Sequence, residues 1–170
     1  MIAAEVIGDL ALDNRNELIK IGLLDSLKIE NTSKEKLQKL ISETTNEKMR
    51  NRLQEHVQET NAQIQRITRR MQELGVSRTP EKVQAPDIML PRSQVPMDGG
   101  MDPLKTSDNV KNGYAWENFE IAHYEFLKEE SDRLDDKDTK KVAEENQKEE
   151  KDFANDVKKM IPDLVRFELP

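Results

Sequence analysis

The sequence predicts an all-α fold: a four-helix bundle of two antiparallel hairpins, joined by a long Pro-rich crossover and preceded by a short N-terminal helix. Three observations predict it. Apolar residues recur at helical spacing in separate long segments. Charged residues make up 36% of the chain and aromatics only 4%, which suits long solvated helices and disfavours a β-sandwich or barrel. Five of the seven prolines fall in one stretch. At 170 residues the chain is long enough for one domain and too short for two ordinary ones.

Ile2, Val6, Ile7 and Leu10 give residues 1–12 the spacing of a short amphipathic helix. Asp13-Asn14-Arg15-Asn16 reads either as a break with a capping residue or as a polar turn of one longer helix. The first hairpin spans 17–75. Leu23, Leu27, Glu30, Lys34, Leu37 and Ile41 form one stripe, with a carboxylate where a leucine would be expected. Thr44 and Glu47 have capping-box spacing for the second helix. That helix carries Met49, Leu53, Thr60, Ile64, Ile67, Met71 and Leu74, and Gly75 should stop it.

Residues 76–112 hold Pro80, Pro86, Pro91, Pro96, Pro103 and Gly99-Gly100, a density that helices do not survive. A bundle whose chain must travel its full length between two hairpins needs such a crossover. The second hairpin spans 113–161. Trp116, Phe119, His123, Phe126, Leu127 and Leu134 are expected on one face, with Glu120 at its edge. The turn at Asp135–Asp138 leads into a last helix with Val142, Phe153, Val157 and Met160. Pro162 is expected to end it, leaving 162–170 as a tail on the bundle.

Thirty-four acidic residues against 27 basic ones leave a formal charge of −7, which argues against phosphate-driven binding of nucleic acid. No cysteine is present, so disulfides, thiolate metal sites and cysteine catalysis are excluded. Glu5 and Asp9 interrupt the start of the chain, and no apolar run suits a signal peptide or a membrane span. The expectation is a cytoplasmic protein, associating as a homodimer and not with a membrane.

A carboxylate on a core-facing stripe costs several kcal/mol unless paired, protonated or bound to metal. Glu30 lies 15 residues before the first turn and Glu59 lies 14 after it; Glu120 and Glu149 stand in the same relation to the second turn. Both pairs are 29 residues apart, which suggests an internal repeat at an offset of 90. Four carboxylates at one level carry a charge that two divalent ions would cancel. Carboxylate and imidazole suit iron and manganese, with zinc also admissible. The two histidines flank this level: His56 precedes Glu59 by three residues and His123 follows Glu120 by three.

Leu23-Leu24-Asp25 with Glu30, the run Leu53-Gln54-Glu55-His56-Val57-Gln58-Glu59-Thr60, the run Glu117-Asn118-Phe119-Glu120-Ile121-Ala122-His123-Tyr124, and Glu149-Glu150-Lys151 together resemble the YciE/YciF-type ferritin-like family. The likeness covers roughly 20–75 and 113–160. It implies a ferritin-like bundle, often stress-associated, with a dinuclear metal site. Carried over by position, the ligands would be Glu30, Glu59, Glu120 and Glu149 or Glu150, with His56 and Glu117 as close candidates. The family has a further helical stretch in the crossover where this chain is Pro-rich, and His123 is an addition.

Two functions follow. One is a metal protein that oxidises or stores iron or manganese, or handles peroxide or oxygen, with ferroxidase- or peroxidase-like turnover. The other is a metal-free helical scaffold whose acids are ion-paired, Glu30 with Lys34 and Glu59 with Arg52 or Arg66.

Overall fold

The computed structural model describes residues 2–76 and 105–168, with side chains placed for 16–76 and 109–166. Four helices make up the described residues: α1 (Ile2–Glu43), α2 (Glu47–Glu73), α3 (Lys105–Arg133) and α4 (Lys137–Glu168). α1 packs on α2 and α3, and α4 packs on α3 and α2. Ser26 meets His123 and Glu43 meets Asn109, so α1 and α3 run antiparallel. Arg52 meets Asp156 and Arg70 meets Asp136, so α2 and α4 do too. α2 therefore ends at the opposite pole of the bundle from where α3 begins. The connection must cover the bundle's length, though the Pro-rich stretch itself lies at 77–104, outside the described residues.

Each terminus has a local cause. Asn46 caps α2 by accepting from the Met49 N–H at 3.0 Å, so the cap falls there and not on the expected Thr44–Glu47 box. α2 closes on Gly75 at φ 69°, with the Val76 N–H bonded to Met71 O and the Gly75 N–H to Gln72 O; this is the Schellman pattern. Asp135, at φ 58°, closes α3 the same way. Asp136 then caps α4, accepting from the Thr139 N–H at 2.9 Å while Arg70 of α2 holds its carboxylate.

Four expectations change. The polar run Asp13–Asn16 does not break the chain: α1 is continuous from Ile2. α3 begins at Lys105, not at 113; the last crossover proline is Pro103, and the added turns are anchored by Asn109 on Glu43 and by Val110 against the core. Pro162 does not end α4. Lys158, whose carbonyl loses its partner, is exposed, so water can satisfy it, and buried Leu164 ties down the turn beyond. Phe126 is 71% exposed, because the buried face of α3 runs through Trp116, Glu117, Glu120, Tyr124, Leu127 and Ser131.

The repeat at 90 is visible in the packing. Met49, Leu53, His56, Thr60, Gln63 and Ile67 are buried in α2, and Thr139, Ala143, Asn146, Glu150, Phe153 and Val157 are buried at the matching places in α4. In the other pair of helices, buried Glu30 matches buried Glu120 and Leu37 matches Leu127. The core comes in two parts. Ile19, Leu23, Leu27, Ile67, Met71, Tyr124, Leu127 and Ala143 form one. Leu37, Met49, Leu53, Phe153, Val157, Met160 and Leu164 form the other. Between them every helix turns polar side chains inward.

Candidate metal centre

The polar layer holds Glu30 from α1, His56 from α2, Glu117 and Glu120 from α3, and Glu150 from α4, all essentially inaccessible to solvent. Glu117 and Glu120 are three residues apart and so share a helix face. His56 stacks on Phe153 at 3.7 Å between ring centroids and 8° between planes, which fixes the plane of the imidazole. Its Nδ1 lies 2.7 Å from Glu59 Oε2. Its Nε2 lies 3.2 Å from Glu117 Oε2 and 3.3 Å from Glu150 Oε2, without the alignment of a hydrogen bond to either. These three groups present ligand atoms within 4.8 Å of one another.

The supporting contacts leave a consistent residue. Tyr124 donates its hydroxyl to Glu30 Oε1 and accepts from Asn146 Nδ2 at 3.0 Å. Gln63 donates to Glu150 Oε1. Ser33 donates to Glu120 Oε2 at 3.4 Å. What remains is Glu30 Oε2, Glu117 Oε2, Glu120 Oε1, Glu150 Oε2 and His56 Nε2, which have no hydrogen-bond partner among the described residues. Buried carboxylate oxygens without donors are costly. An oxygen-rich set with one imidazole nitrogen is what a divalent transition metal of intermediate hardness takes, so the residues present fit such an ion.

Without a cation the cluster holds protons instead. Burial, then the charge of Glu150, pushes the Glu30 and Glu120 carboxyls well above the ordinary carboxylate range. Burial pushes Glu117 up to about 8, against the pull of His56. Burial works against a charged His56, yet the carboxylates of Glu117, Glu150 and Glu59 outweigh it and hold the imidazole well above its usual value. Glu150 goes the other way: burial raises it, but its contacts with His56 prevail and keep it low.

The structure brings together Glu30, His56, Glu117, Glu120 and Glu150 and leaves Glu59 and Glu149 outside. Glu59 is partly exposed, with Arg52 Nη1 at 3.2 Å, and touches the layer only through His56. Arg66 holds Glu149 and also donates to Asn146 Oδ1 at 2.8 Å. Of the pair left open in α4, it is Glu150 that faces the layer. Glu30 rests on Tyr124, not on Lys34. His123 sits apart, its Nε2 2.8 Å from Ser26 Oγ, and burial lowers its pKa. Ser33, Gln63, Tyr124 and Asn146 were not among the expected site residues, although Gln63 and Asn146 lie on the three-four stripes through His56 and Glu150.

Residues 15–169 match the family described as a domain of unknown function, DUF892. The chain belongs to that family. Solved structures share the fold of this DUF892 chain. A protein from Xanthomonas campestris is 20% identical, with a TM-score of 0.75 over 92% of this chain and 96% of its own. The Escherichia coli stress protein YciF is 18% identical, with a TM-score of 0.70 over 89% and 97%. YcfI from Rhodopseudomonas palustris is 24% identical, with a TM-score of 0.68 over 85% and 92%. No curated protein matches the sequence. Among the described residues no helix is long and apolar enough to cross a membrane.

Proposed function

We propose that this DUF892 protein is a ferritin-like metalloprotein, holding two divalent transition-metal ions, iron or manganese, in the layer between its two cores. One observation carries the reading: five buried ligand atoms from four helices have no donor to satisfy them, and those of His56, Glu117 and Glu150 lie within 4.8 Å of one another. Glu30, Glu117, Glu120 and Glu150 would supply four negative charges, which two divalent ions cancel. His56 would present Nε2, with Nδ1 anchored on Glu59. Such ions, when bound, supply one-electron chemistry toward dioxygen or peroxide. The chain's own part is to keep the site dry between two hydrocarbon layers, to orient the carboxyls through Tyr124, Gln63 and Ser33, and to hold protons on the carboxyls until a cation displaces them. The name of the stress protein YciF supports a role in stress response.

Elemental analysis of protein produced with iron and manganese in the medium tests this reading. Close to two transition-metal ions per chain are expected, and Glu117→Gln together with Glu150→Gln should abolish the loading. A folded parent with far less than one ion per chain, and a melting temperature indifferent to added ferrous or manganous ion, would leave the scaffold reading in its place.

A further inference from the structure

A second feature of the fold meets this centre from the pole where α3 begins. A cavity of about 30 Å³ lies between the helices, with Glu43 and Asn109 among its partly exposed lining residues and Glu117 among its buried ones. From Asn109 to Glu117 the wall follows two turns of α3, roughly 12 Å at 1.5 Å per residue. Between these polar ends the lining is mainly hydrocarbon, chiefly Leu37, Leu53, Phe153 and Val157, with Thr44 and Tyr114 also on the wall. Phe153 is the ring on which His56 stacks. The space is that of one or two water-sized molecules, but an apolar cavity gives water too few partners and tends to stay dry while accepting apolar gases. A hydrated divalent ion would have to shed its water against hydrocarbon, which is prohibitive.

The space also has a local cause. Gly113 lies inside α3, where glycine is less favourable than alanine, and no unusual backbone angle calls for it. A Cβ there would meet only Leu40 Cδ1, at 3.7 Å, an ordinary contact. A small methyl would fit; a larger side chain would project toward the cavity that Gly113 lines.

We propose that this cavity admits dioxygen, a small neutral apolar oxidant, to the Glu117 side of the centre, and that the metal ions reach the centre by another path. The inference rests on the metal-centre reading above. In the reaction it would serve, dioxygen takes one electron from each of two ferrous ions and two protons, and leaves as hydrogen peroxide, the ions becoming ferric.

Two measurements test it separately. Xenon is applied to the metal-free protein and located by diffraction or by xenon NMR. It should occupy the cavity in the parent and in Gly113→Ala, and be lost in Gly113→Leu or, from the next turn, Val110→Phe. Protein loaded with ferrous iron under argon is then mixed with dioxygen. Gly113→Leu should keep the parental iron content and oxidise about tenfold more slowly, with Gly113→Ala close to the parent. Whichever of the two filling variants keeps the parental circular dichroism decides the matter. A cavity that takes no xenon, or a filled variant that oxidises at the parental rate with full iron content, overturns the route. A parent that binds no iron defeats the centre itself, and the route with it.

Discussion

His56 Nδ1 stands 2.7 Å from Glu59 Oε2, and this contact settles which edge of the imidazole meets the carboxylate layer. Glu59 is held below the ordinary carboxylate range: burial opposes this, but His56 and Arg52 outweigh it. An ionised Glu59 can only accept, so Nδ1 must carry a hydrogen and donate it, and in the neutral ring Nε2 is left with its lone pair toward Glu117 and Glu150. Glu59 thus acts through the histidine without reaching the centre. Glu59→Ala should weaken metal binding about 10- to 100-fold, the usual cost of removing such a support, while Glu59→Gln, which keeps an acceptor oxygen, should lose less. Competitive titration against a chelator of known affinity reads both.

The metal-free protein should be most stable on the acid side of neutrality. Glu30, Glu117, Glu120 and His56 all bind protons more tightly folded than unfolded. The stability they contribute is complete below their unfolded values and is lost as pH rises toward the folded ones, about 8 for Glu117. Glu150 and Glu59, shifted down, contribute in the opposite sense and lose their share as pH falls below the usual carboxylate range. Between roughly pH 5 and 8 the stability without metal should therefore fall, and the melting temperature with it. Glu117→Gln, neutral at every pH, should flatten that slope. A parent whose thermal stability rises across this interval would contradict the proton-filled layer.

Metal uptake should expel those protons. A cation needs carboxylates and a neutral imidazole, whereas the empty layer holds protons on Glu30, Glu117, Glu120 and His56, so loading near pH 7 should release protons and the affinity should climb with pH. Calorimetry in buffers of different ionisation enthalpy measures the number released. Release close to zero would mean that the ion binds somewhere other than this layer.

Much of this arrangement is legible in the sequence, and the misreadings share a cause. Glu30 stands out because Leu23, Leu27 and Leu37 fix the stripe around it. In α4 the only strong apolar markers at the layer's far side are Phe153 and Val157. Counting back from them in steps of four and three reaches Glu150, Asn146, Ala143 and Thr139, all buried; the equal 29-residue spacing of the two pairs, which measures height along the bundle and not rotation about the helix, selects Glu149. The same count of height selects Glu59, although Thr60 beside it is the residue on the stripe and is buried. Phe126 misleads through its type, since a large aromatic ring reads as core while Glu117 reads as surface. Polar residues that line a buried layer carry no hydrophobic signal, and only neighbouring helices reveal why Gln63, Asn146 and Tyr124 face inward. Pro162 marks a real cost to the helix, offset by packing of Leu164 that local sequence does not display.

Tyr124 offers the sharpest test of how the layer is held. Its hydroxyl is buried, donates to Glu30 Oε1 and accepts from Asn146 Nδ2, so Tyr124→Phe removes one oxygen and leaves two polar groups without partners. Burial, reinforced by the charge of Glu30 and the bond to it, also holds the phenol well above its ordinary value, so it serves as a neutral donor throughout the working range. Losing it should cost about 1–3 kcal/mol, a fall of several degrees in melting temperature for a chain of this size, at roughly 2–4 °C per kcal/mol. In metal-free protein the deficit should grow as pH rises, because an ionised Glu30 needs a donor more than a protonated one does. It should shrink once manganese is bound, because a cation then satisfies the same carboxylate. Melting curves of parent and variant, each with and without manganese, give the four values needed. An equal deficit in both states would place Glu30 outside the metal's reach.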